Sequence, residues 1–555
     1  MRGFVLPLVL LAAFTFLVGL GRGAITDADE AFYAEAGREM VASGDWVTPQ
    51  YNYEPRFQKP ILYYWLTAAT YRLAGASEWA ARLWSALSGV GLVLVTAAAA
   101  RRWYDDGVGL LAGAIVATSF GYYSIGRMAL PDLPLTFFIT AAIWLALVAT
   151  LDDPRDQTRW VALSGVAAGF AFLTKGPVGV AIPAMVVLPI VLLERRSLNL
   201  TLSQIGVALA LFSVVALPWY GVMWQRHGAA YLEGFFVGDN VERFATDRFN
   251  DPRPWWFYAP VLLGGLLPWT PLAVVWVSPV WRFITRRQDI GTVELRLLLW
   301  AIIPLVFYSI SVGKQPRYIL PVLPPLATLL AQSILERTRD WRSIDGARVR
   351  IRRPAAIAIG AIGSGLTLVL MAVAIWRVRP LIANVAGLHT IPAALVLGIC
   401  GAVVLLVASS QFWRQVPAVL AVVAAMSFAV LQYGGISGTG DDTVEHVARA
   451  VRAAAQNSEE VGTHRVFVRN LVFYTGRRTV DLITDDQLDA FLGQQARALL
   501  VAPVEAIERL EQRTGRHYPR LAEFAYFNEA GIRVRTLMQP DAERDLARVA
   551  LVANR

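Results

Sequence analysis

Three lysines are exceptional among the basic residues of this chain. Of the 51 basic residues, only Lys59, Lys175 and Lys314 are lysines, and the others are arginines. Each lysine lies in a short polar break beside a long apolar run and is followed within two residues by a proline. Because an ammonium is a compact point charge and a guanidinium is planar, this pattern indicates positions that need a compact cation. Chance lysines in an arginine-rich chain are the alternative, and the choice depends on whether the three side chains can reach one place.

Carboxylates form a second group of candidate residues. Asp27, Asp29 and Glu30 follow the first apolar segment directly, and carboxylates this close repel one another unless they are solvated or used. Asp29 is therefore a candidate general base for a hydroxyl or phosphate acceptor at the membrane surface. The alternative is a capped surface helix over residues 28–42, with Asp27 as its N-cap and Glu30 at its third position, as in a capping box.

Asp132 is the second candidate catalytic carboxylate. It lies between two prolines beside an apolar segment, where a carboxylate costs free energy unless it is paired or functional. A simple N-cap for the following helix is the alternative. Cations near such carboxylates could hold a lipid phosphate or pyrophosphate while a carboxylate deprotonates the attacking group. The candidate substrate-binding residues are Glu30, Tyr33, Lys59, Arg127, Lys175, Asp239, Asn240, Arg243, Lys314, Arg317 and Tyr318.

The composition indicates an α-helical polytopic membrane protein. The chain is 56% hydrophobic and 17% charged, with a mean hydropathy of +0.47. Apolar segments of roughly 17–25 residues, each long enough to cross a bilayer as a helix, recur as far as residue 433. We predict about thirteen transmembrane helices, at residues 4–21, 79–100, 108–126, 133–151, 160–174, 177–193, 203–224, 256–280, 293–312, 318–335, 355–376, 388–408 and 415–433.

The charges of the loops predict the orientation. Alternate connections are rich in arginine, which places them in the cytoplasm by the positive-inside rule: residues 101–102, 155–159, 195–196, 282–287 and 337–353. The net charge of +9 comes largely from these loops, so it does not indicate nucleic-acid binding. With an uncleaved first helix, the N-terminus is cytoplasmic and all three lysines fall on the outer face.

Residues 61–75 could form one more span, but this would move Arg101 and Arg102 to the outer face. We therefore expect a helix that lies at the outer membrane surface. Its expected interfacial anchors are Tyr63, Tyr64, Trp65 and Tyr71.

The chain changes character near residue 438. We predict a transmembrane catalytic domain over residues 1–437, with its first periplasmic loop at 22–78, and a small periplasmic α/β domain over residues 438–555. The elements expected in the second domain are helices at 443–456 and 504–514 and strands at 465–468, 498–502 and 532–537.

Several of these residues occur in the order of a known family. The motifs Asp29-Glu30-x-x-Tyr33, Phe57-Gln58-Lys59-Pro60 and Ala80-Ala81-Arg82 resemble the bacterial aminoarabinose transferase branch of the GT-C glycosyltransferases. So do Arg127…Asp132-x-Pro134, Leu173-Thr174-Lys175-Gly176-Pro177 and Lys314…Arg317-Tyr318. Protein mannosyltransferases are more distant relatives. The resemblance extends from the N-terminus to Pro325.

The resemblance implies a GT-C fold and a multi-pass enzyme of the bacterial inner membrane. Such an enzyme takes a sugar from a polyprenyl-phosphate donor and transfers it, on the periplasmic side, to lipid A or another envelope glycan. Asp29 and Asp132 match the family's two acidic positions, and Lys59 matches its donor-phosphate lysine. Membrane lipids are further expected partners.

Two positions depart from the family pattern. Gln58 stands where that branch carries an acidic residue, and Asp239 stands where it carries a histidine. Both positions are associated with a bound metal in that branch. We therefore expect no required cofactor, and Gln58 and Asp239 are only weak candidates for binding a divalent metal.

The expected reaction is a single displacement with inversion. Asp29 would act as general base or orient the acceptor, and Asp132 would support the acceptor or the neighbouring cations. Lys59, assisted by Arg243, Lys175 or Lys314, would stabilise the departing polyprenyl phosphate. The alternatives are a protein O-mannosyltransferase-like enzyme or glycan ligase or polymerase, a transporter of anionic lipids, and a non-catalytic lipid-binding scaffold. Transport would call for ionisable residues near mid-bilayer, and the predicted spans are nearly uncharged.

Overall fold

The computed structural model describes most of the chain. The described residues are 2–152, 156–194, 200–246, 252–285, 289–338, 341–344, 347–350, 354–382, 387–410, 412–456, 459–527 and 534–555. Several of the arginines that predicted the orientation, among them Arg155, Arg195, Arg196, Arg286 and Arg287, lie outside these residues.

The first 436 residues form a bundle of apolar helices. Within the described ranges, eight helices are long and apolar enough to cross a membrane, or ten if each of two bent pairs is one span. The eight are Glu78–Trp103, Asp132–Leu151, Leu202–Asn240, Thr292–Ile310, Pro316–Thr338, Ala355–Ile382, Thr390–Ser409 and Trp413–Ile436. The bent pairs are Asp106–Ala117 with Phe120–Gly126 and Trp255–Gly265 with Thr270–Ile284, bent by 56° and 107°.

Three further helices coincide with the remaining predicted spans. Arg2–Leu17 and Val178–Leu193 are shorter, and Gln157–Lys175 packs against both Asp132–Leu151 and Val178–Leu193. Every predicted span therefore falls on helical structure, and the predicted helical membrane fold is confirmed. The count of thirteen stays a prediction. A short antiparallel hairpin, Trp341–Ile344 with Ala347–Arg350, lies in the arginine-dense loop.

The first loop is ordered by its own helices. Helix Ala28–Ser43 begins at the predicted cap, because the Asp27 carboxylate accepts hydrogen bonds from the backbone N–H groups of Asp29 and Glu30. Gly44 ends this helix with φ of 72°, a left-handed conformation that favours glycine. A hairpin, Gln50–Tyr51 with Glu54–Pro55, connects it to helix Leu62–Ala74.

Helix Leu62–Ala74 corrects one sequence expectation. Tyr63 and Tyr64 are fully buried and Tyr71 is 4% exposed, so these side chains pack inside the protein and do not reach a lipid interface. Tyr63 donates a hydrogen bond to the Ala81 carbonyl, and Trp65 is half-buried. A helix at the lipid interface and a helix buried in the protein can carry the same aromatic pattern. Only packing against the neighbouring helices distinguishes the two.

The C-terminal region contains a five-stranded mixed sheet. The strand order is Thr479–Asp481, Glu460–Thr463, Ala498–Pro503, Ala547–Ala553 and Arg520–Tyr526. The first three strands are parallel to one another. Ala547–Ala553 is antiparallel to both of its neighbours, Ala498–Pro503 and Arg520–Tyr526. Helices Thr443–Ala454, Leu471–Thr475, Asp485–Gly493, Val504–Thr514, Val534–Met538 and Ala542–Asp545 complete it. The continuous apolar run of Ala498–Pro503 is typical of a strand buried on both faces.

Local patterns predicted part of this region. The helices at 443–456 and 504–514 and the strand at 498–502 are confirmed. The strand expected at 465–468 was wrong: the strand is Glu460–Thr463, and the chain then turns through Arg465 and Phe467 at positive φ. The strand expected at 532–537 was also wrong, since residues 534–537 are helical and residues 532–533 lie outside the described ranges.

Candidate functional site

A cavity of about 480 Å³ lies where the first loop meets the ends of several apolar helices. Its charged and polar walls include Lys59, Asp132, Lys175, Asp239 and Arg317. Its apolar walls are built by aromatic and aliphatic side chains, among them Leu135, Val178, Phe236, Phe244, Phe307 and Tyr308. One cavity therefore combines a cluster of charges with an apolar surface.

Asp132 lies at the centre of the charged wall. It is the first residue of helix Asp132–Leu151, is 4% exposed, and accepts a hydrogen bond of 2.6 Å from the Lys175 ammonium. Lys175 is the last residue of helix Gln157–Lys175, where a cation also interacts favourably with the helix dipole. The same ammonium lies 4.6 Å from the ring centre of Tyr318, which gives it a second electrostatic partner.

Arg317 connects the two candidate catalytic carboxylates. Its guanidinium forms an ion pair with Asp29, and its Nε lies 3.5 Å from the second carboxylate oxygen of Asp132. Burial alone would raise the pKa of Asp29, but the guanidinium groups of Arg317, Arg469 and Arg56 hold it below its usual value. Asp29 is therefore an anion at neutral pH, held in place and 39% exposed on its other side.

Lys59 also lines the cavity. Its ammonium forms an ion pair with Asp239, whose side chain is almost fully buried. Asp239 and Asn240 belong to the irregular helical turn Glu233–Glu242, in which the Asn240 amide donates to the Phe235 carbonyl at 2.8 Å. Two lysine–aspartate pairs therefore face one cavity.

Lys314 lies close to this cavity, but its ammonium is directed to the backbone. It donates to the carbonyl oxygens of Ser311 and Arg253 and is 6% exposed, whereas the neighbouring Ser311 and Gly313 line the cavity. The three lysines thus reach one region, and two of them present their charge to the cavity.

Besides Lys314, three residues predicted to bind substrate lie outside the cavity lining. Tyr33 is buried and stacks on Tyr64 with ring centres 5.2 Å apart. Arg127 is 7% exposed and donates to Gln432 and to the carbonyls of Thr15 and Phe16 at the end of the first helix. The third residue, Glu30, has a distinct position.

Glu30 joins the elements that carry the two aspartates. Its carboxylate accepts two hydrogen bonds from Arg82, at 2.7 and 3.1 Å, and one from the backbone N–H of Ala129, at 2.9 Å. Glu30 follows Asp29 directly, and Ala129 lies three residues before Asp132. The capping-box alternative for Glu30 was therefore wrong. Its side chain instead bonds Arg82 and the Ala129 N–H, which fixes the segment that carries Asp29 relative to the segment that carries Asp132.

Arg82 is a residue that our sequence reasoning did not assign to the site. It also donates to the carbonyls of Leu20, Arg22, Gly23 and Ala24, so it holds the whole connection between the first helix and Asp27. The sequence does contain a signal for this role, because an arginine within an apolar helix requires a partner inside the protein.

Comparison with known proteins identifies the family. A family model described as "Dolichyl-phosphate-mannose-protein mannosyltransferase" matches residues 8–228. The undecaprenyl phosphate-alpha-4-amino-4-deoxy-L-arabinose arabinosyl transferase of Pectobacterium atrosepticum is 32% identical over 381 residues, which cover 65% of this chain and 67% of that protein. The chain belongs to the aminoarabinose transferase family.

A second relative and one solved structure are also similar to this chain. A transferase of the same description from Pseudomonas fluorescens is 34% identical over 367 residues, covering 65% of this chain but only 60% of the relative's length. The crystal structure of ArnT from Cupriavidus metallidurans bound to undecaprenyl phosphate has a TM-score of 0.76 and 23% identity, and it covers 100% of this chain and 98% of that chain. The GT-C fold and a multi-pass membrane protein are therefore established.

The two residues that depart from the aminoarabinose transferase pattern differ in position, since Asp239 lines the cavity and Gln58 does not. Gln58 is exposed, and Asp239 is engaged by Lys59. Across the described ranges, no three His, Cys, Asp or Glu side chains come together in a way that could hold a metal ion. The side chain of Arg243 lies outside the described part of the chain, so its predicted role stays a prediction.

The apolar walls were also absent from the sequence prediction. Phe236, Phe244, Phe307 and Tyr308 come from two segments far apart in the chain. An aromatic residue in an apolar helix is common, so its type alone gave no signal. A cavity with a charged end and apolar walls fits a lipid that carries a phosphate.

Proposed function

We propose that this chain is an inverting glycosyltransferase that moves a sugar from a polyprenyl-phosphate donor to an acceptor at the periplasmic face of the bacterial inner membrane. The observation that supports it most directly is the shared cavity of the Lys59–Asp239 and Lys175–Asp132 pairs beside an apolar wall. Family membership supports the reaction class, since the relatives are named as arabinosyl transferases that use undecaprenyl phosphate-linked aminoarabinose.

The donor phosphate would bind to Lys59 and Lys175. Both lysines line the cavity, so their ammonium groups could donate to phosphate oxygens that enter it. The prenyl chain would follow the apolar wall toward the bilayer, in contact with residues such as Phe244 and Phe307. The crystal structure of ArnT from Cupriavidus metallidurans contains bound undecaprenyl phosphate, which supports a polyprenyl phosphate as the class of ligand.

The transfer step would be a direct displacement at the anomeric carbon. An acceptor oxygen forms the new bond to the anomeric carbon while the bond to the donor phosphate oxygen breaks, and the phosphate leaves with the electron pair. An ionised phosphate acceptor brings no proton to this step, and the proton of a hydroxyl acceptor would pass to the departing phosphate, which gains one negative charge as it leaves. Lys59 and Lys175 would stabilise the charge that develops on the leaving phosphate, and each such preorganised contact contributes about 2–4 kcal/mol to transition-state stabilisation.

Asp29 would orient the acceptor more than it would take its proton. Its lowered pKa makes it a weak base, because base strength falls with pKa. An ionised carboxylate fixed by Arg317 can instead accept a hydrogen bond from the acceptor and direct its oxygen toward the sugar. Asp132 would hold Lys175 and Arg317 in place.

Lipid A or another envelope glycan is the acceptor we propose. A protein acceptor is the second candidate, because the matching family model is that of protein mannosyltransferases. The positive-inside rule supports a periplasmic site, with the N-terminus in the cytoplasm. Anionic-lipid transport is the least favoured alternative.

We also propose that transfer needs no added cofactor, since lysine and arginine side chains supply cations at the leaving phosphate. Dialysis against EDTA should then leave activity unchanged, and recovery of lost activity by a divalent metal would contradict the proposal.

The decisive experiment is transfer in proteoliposomes with undecaprenyl-phosphate-linked sugars and lipid A. We expect Asp29→Asn to reduce transfer at least about 100-fold, because it removes the charge that orients the acceptor. Near-normal transfer by Asp29→Asn would overturn the assignment. Mass spectrometry of lipid A, envelope glycans and glycoproteins from a deletion strain would identify the acceptor by the missing sugar.

A further inference from the structure

The C-terminal domain contacts the segment that leads into Asp29. The Ile25 N–H donates to the Tyr474 hydroxyl at 2.7 Å, and the Asn470 side-chain amide donates to the Ile25 carbonyl at 2.7 Å. Ile25 is fully buried and Asn470 is 4% exposed. Both backbone groups of Ile25 therefore depend on side chains that follow it by 449 and 445 residues.

Two further bonds extend this contact toward the site. The Asn470 amide also reaches the carbonyl of Asp27, the cap residue of the helix that carries Asp29, at 3.3 Å. The Tyr474 hydroxyl donates to Glu78, at the start of the helix that supplies Arg82, at 2.9 Å. The C-terminal domain thus contacts both elements that hold Asp29.

The same domain brings a cation beside Asp29. The guanidinium of Arg469 lies 4.7 Å from the ring centre of Phe32, and that of Arg56 lies 3.6 Å from it. Phe32 stands three residues after Asp29 and so on the same helix face. Within the described residues neither guanidinium forms an ion pair, and both help to keep Asp29 ionised.

We propose that the C-terminal domain is a working part of the transfer site: Asn470 and Tyr474 are positioning residues for Asp29, and Arg469 completes the cationic surface beside it. The catalytic role of Asp29 in this proposal rests on the proposed function. The way in which Asp29 is held in place does not depend on that function. A buried N–H and carbonyl that lose their partners must move to find others, and a displacement of about 1 Å at a reacting group can cost about 100-fold in rate.

Other contacts of the same interface supply a control. The exposed ion pair of Arg478 with Glu54 and the backbone bonds of Thr479 to Asn52 join the C-terminal domain to the hairpin Gln50–Pro55. These contacts hold the domain without touching the segment from Ile25 to Asp29. Arg478→Ala therefore weakens the attachment of the C-terminal domain to this hairpin and leaves the contacts of the segment from Ile25 to Asp29 in place.

The first test is hydrogen–deuterium exchange of the full-length protein in detergent, which needs no activity. In Tyr474→Phe and Asn470→Ala, the backbone amides of residues 25–31 should exchange about tenfold faster or more, whereas Arg478→Ala should leave them unchanged. Tyr474→Phe keeps the ring and removes only the hydroxyl. Exchange equal to that of the wild type in both variants would overturn the positioning role.

The second test is the transfer reaction. Tyr474→Phe should lower kcat about tenfold and leave KM for the lipid donor unchanged, because neither Tyr474 nor Asn470 lines the cavity that contains Lys59 and Lys175. Arg469→Ala should move the acid limb of the kcat/KM profile to higher pH, Arg469→Lys should restore it, and Arg478→Ala should do neither. The groups that face Asp29 are the guanidinium groups of Arg317, Arg469 and Arg56, the Asp27 carboxylate and the phenols of Tyr33 and Tyr64.

The possible failures differ. If Arg469→Ala leaves the acid limb unmoved, or if Tyr474→Phe only lowers the yield of folded protein, the C-terminal domain is a docked scaffold and the inference is wrong. If the wild type transfers no sugar from any lipid donor, the proposed function is wrong, and the exchange experiment still decides whether Asn470 and Tyr474 position Asp29.

Discussion

Helix Asp132–Leu151 carries a charged cluster at each end, and the two clusters are built differently. Its first residue, Asp132, pairs with Lys175 and Arg317 beside the cavity. Its C-cap, Asp152, pairs with Arg102 and Arg296 at the other end. A helix of this length separates its ends by about 30 Å, which is the thickness of the hydrocarbon core of a bilayer.

The Asp152 end is a closed network of arginines. Arg296 donates to both carboxylate oxygens of Glu194, at 2.6 and 2.8 Å, and reaches Asp152 at 3.4 Å. Arg102 donates to Asp152 at 2.6 Å. The guanidinium N–H groups of both arginines therefore bond to carboxylates of the protein itself.

The Asp132 end keeps bonding capacity for a ligand. Lys175 donates once to Asp132 and lies over the Tyr318 ring, although an ammonium has three donors. A cavity adjoins this end. The contrast agrees with the rarity of lysine: arginines form the closed network at the Asp152 end, whereas two of the three lysines line the cavity at the Asp132 end.

The largest expected effect comes from removing a cavity lysine. Lys59→Gln should lower kcat/KM about 100- to 1,000-fold, because a preorganised charge at the leaving phosphate is lost. Transfer in proteoliposomes measures this, with Lys314→Gln as the matched control. If Lys314→Gln is as damaging as Lys59→Gln, the distinction between a cavity lysine and a backbone-bound lysine fails.

Breaking the arginine network should affect stability and spare catalysis. Arg296→Leu removes the arginine that pairs with Glu194, leaves Asp152 with Arg102, and should cost about 3 kcal/mol of unfolding free energy. A thermal-shift measurement should show a lower Tm, while activity per folded molecule stays within about twofold of the wild type. A large loss of specific activity at unchanged Tm would contradict the structural role of this end.

Exchanging the cation type tests the comparison more finely. Lys175→Arg keeps the charge but replaces a point charge by a planar fork. We expect about a tenfold loss of kcat, with KM for the donor less affected. Full activity in Lys175→Arg would show that the cavity requires charge alone.

The smallest expected effect is a shift in the pH dependence of kcat/KM when Arg317 is replaced. Because Arg317 helps to hold the pKa of Asp29 below its usual value, the ionised form needed for transfer persists at a lower pH than for an ordinary aspartate. Arg317→Gln removes that cation, so the pKa of Asp29 rises and the acid limb of kcat/KM moves up by about one pH unit. An unchanged limb would show that Asp29 does not control the acid side.

Sequence reasoning predicted the features that depend on local patterns. The apolar spans, the cap at Asp27 and the buried strand Ala498–Pro503 follow from periodicity and residue type over short windows. The grouping of Lys59 and Lys175 also followed, since span parity fixes which ends of helices are neighbours.

The remaining features depend on contacts between distant residues. The role of Glu30 requires Arg82 and Ala129, and the hold on Ile25 requires Asn470 and Tyr474. Tyr63 and Tyr64 carry the same aromatic signature whether they face lipid or protein. Such partners are set by tertiary packing, which no short window of the sequence contains.

The ion pair between Lys59 and Asp239 has a consequence for turnover. Asp239 is an internal counter-ion of Lys59. Under the proposed function the incoming phosphate would replace this carboxylate, so donor binding would exchange one anion for another, which would lower affinity but keep Lys59 oriented. After transfer, the free polyprenyl phosphate would compete with the same carboxylate, so Asp239 would promote product release. An Asp239→Asn enzyme should then bind lipid phosphate more tightly and turn over more slowly.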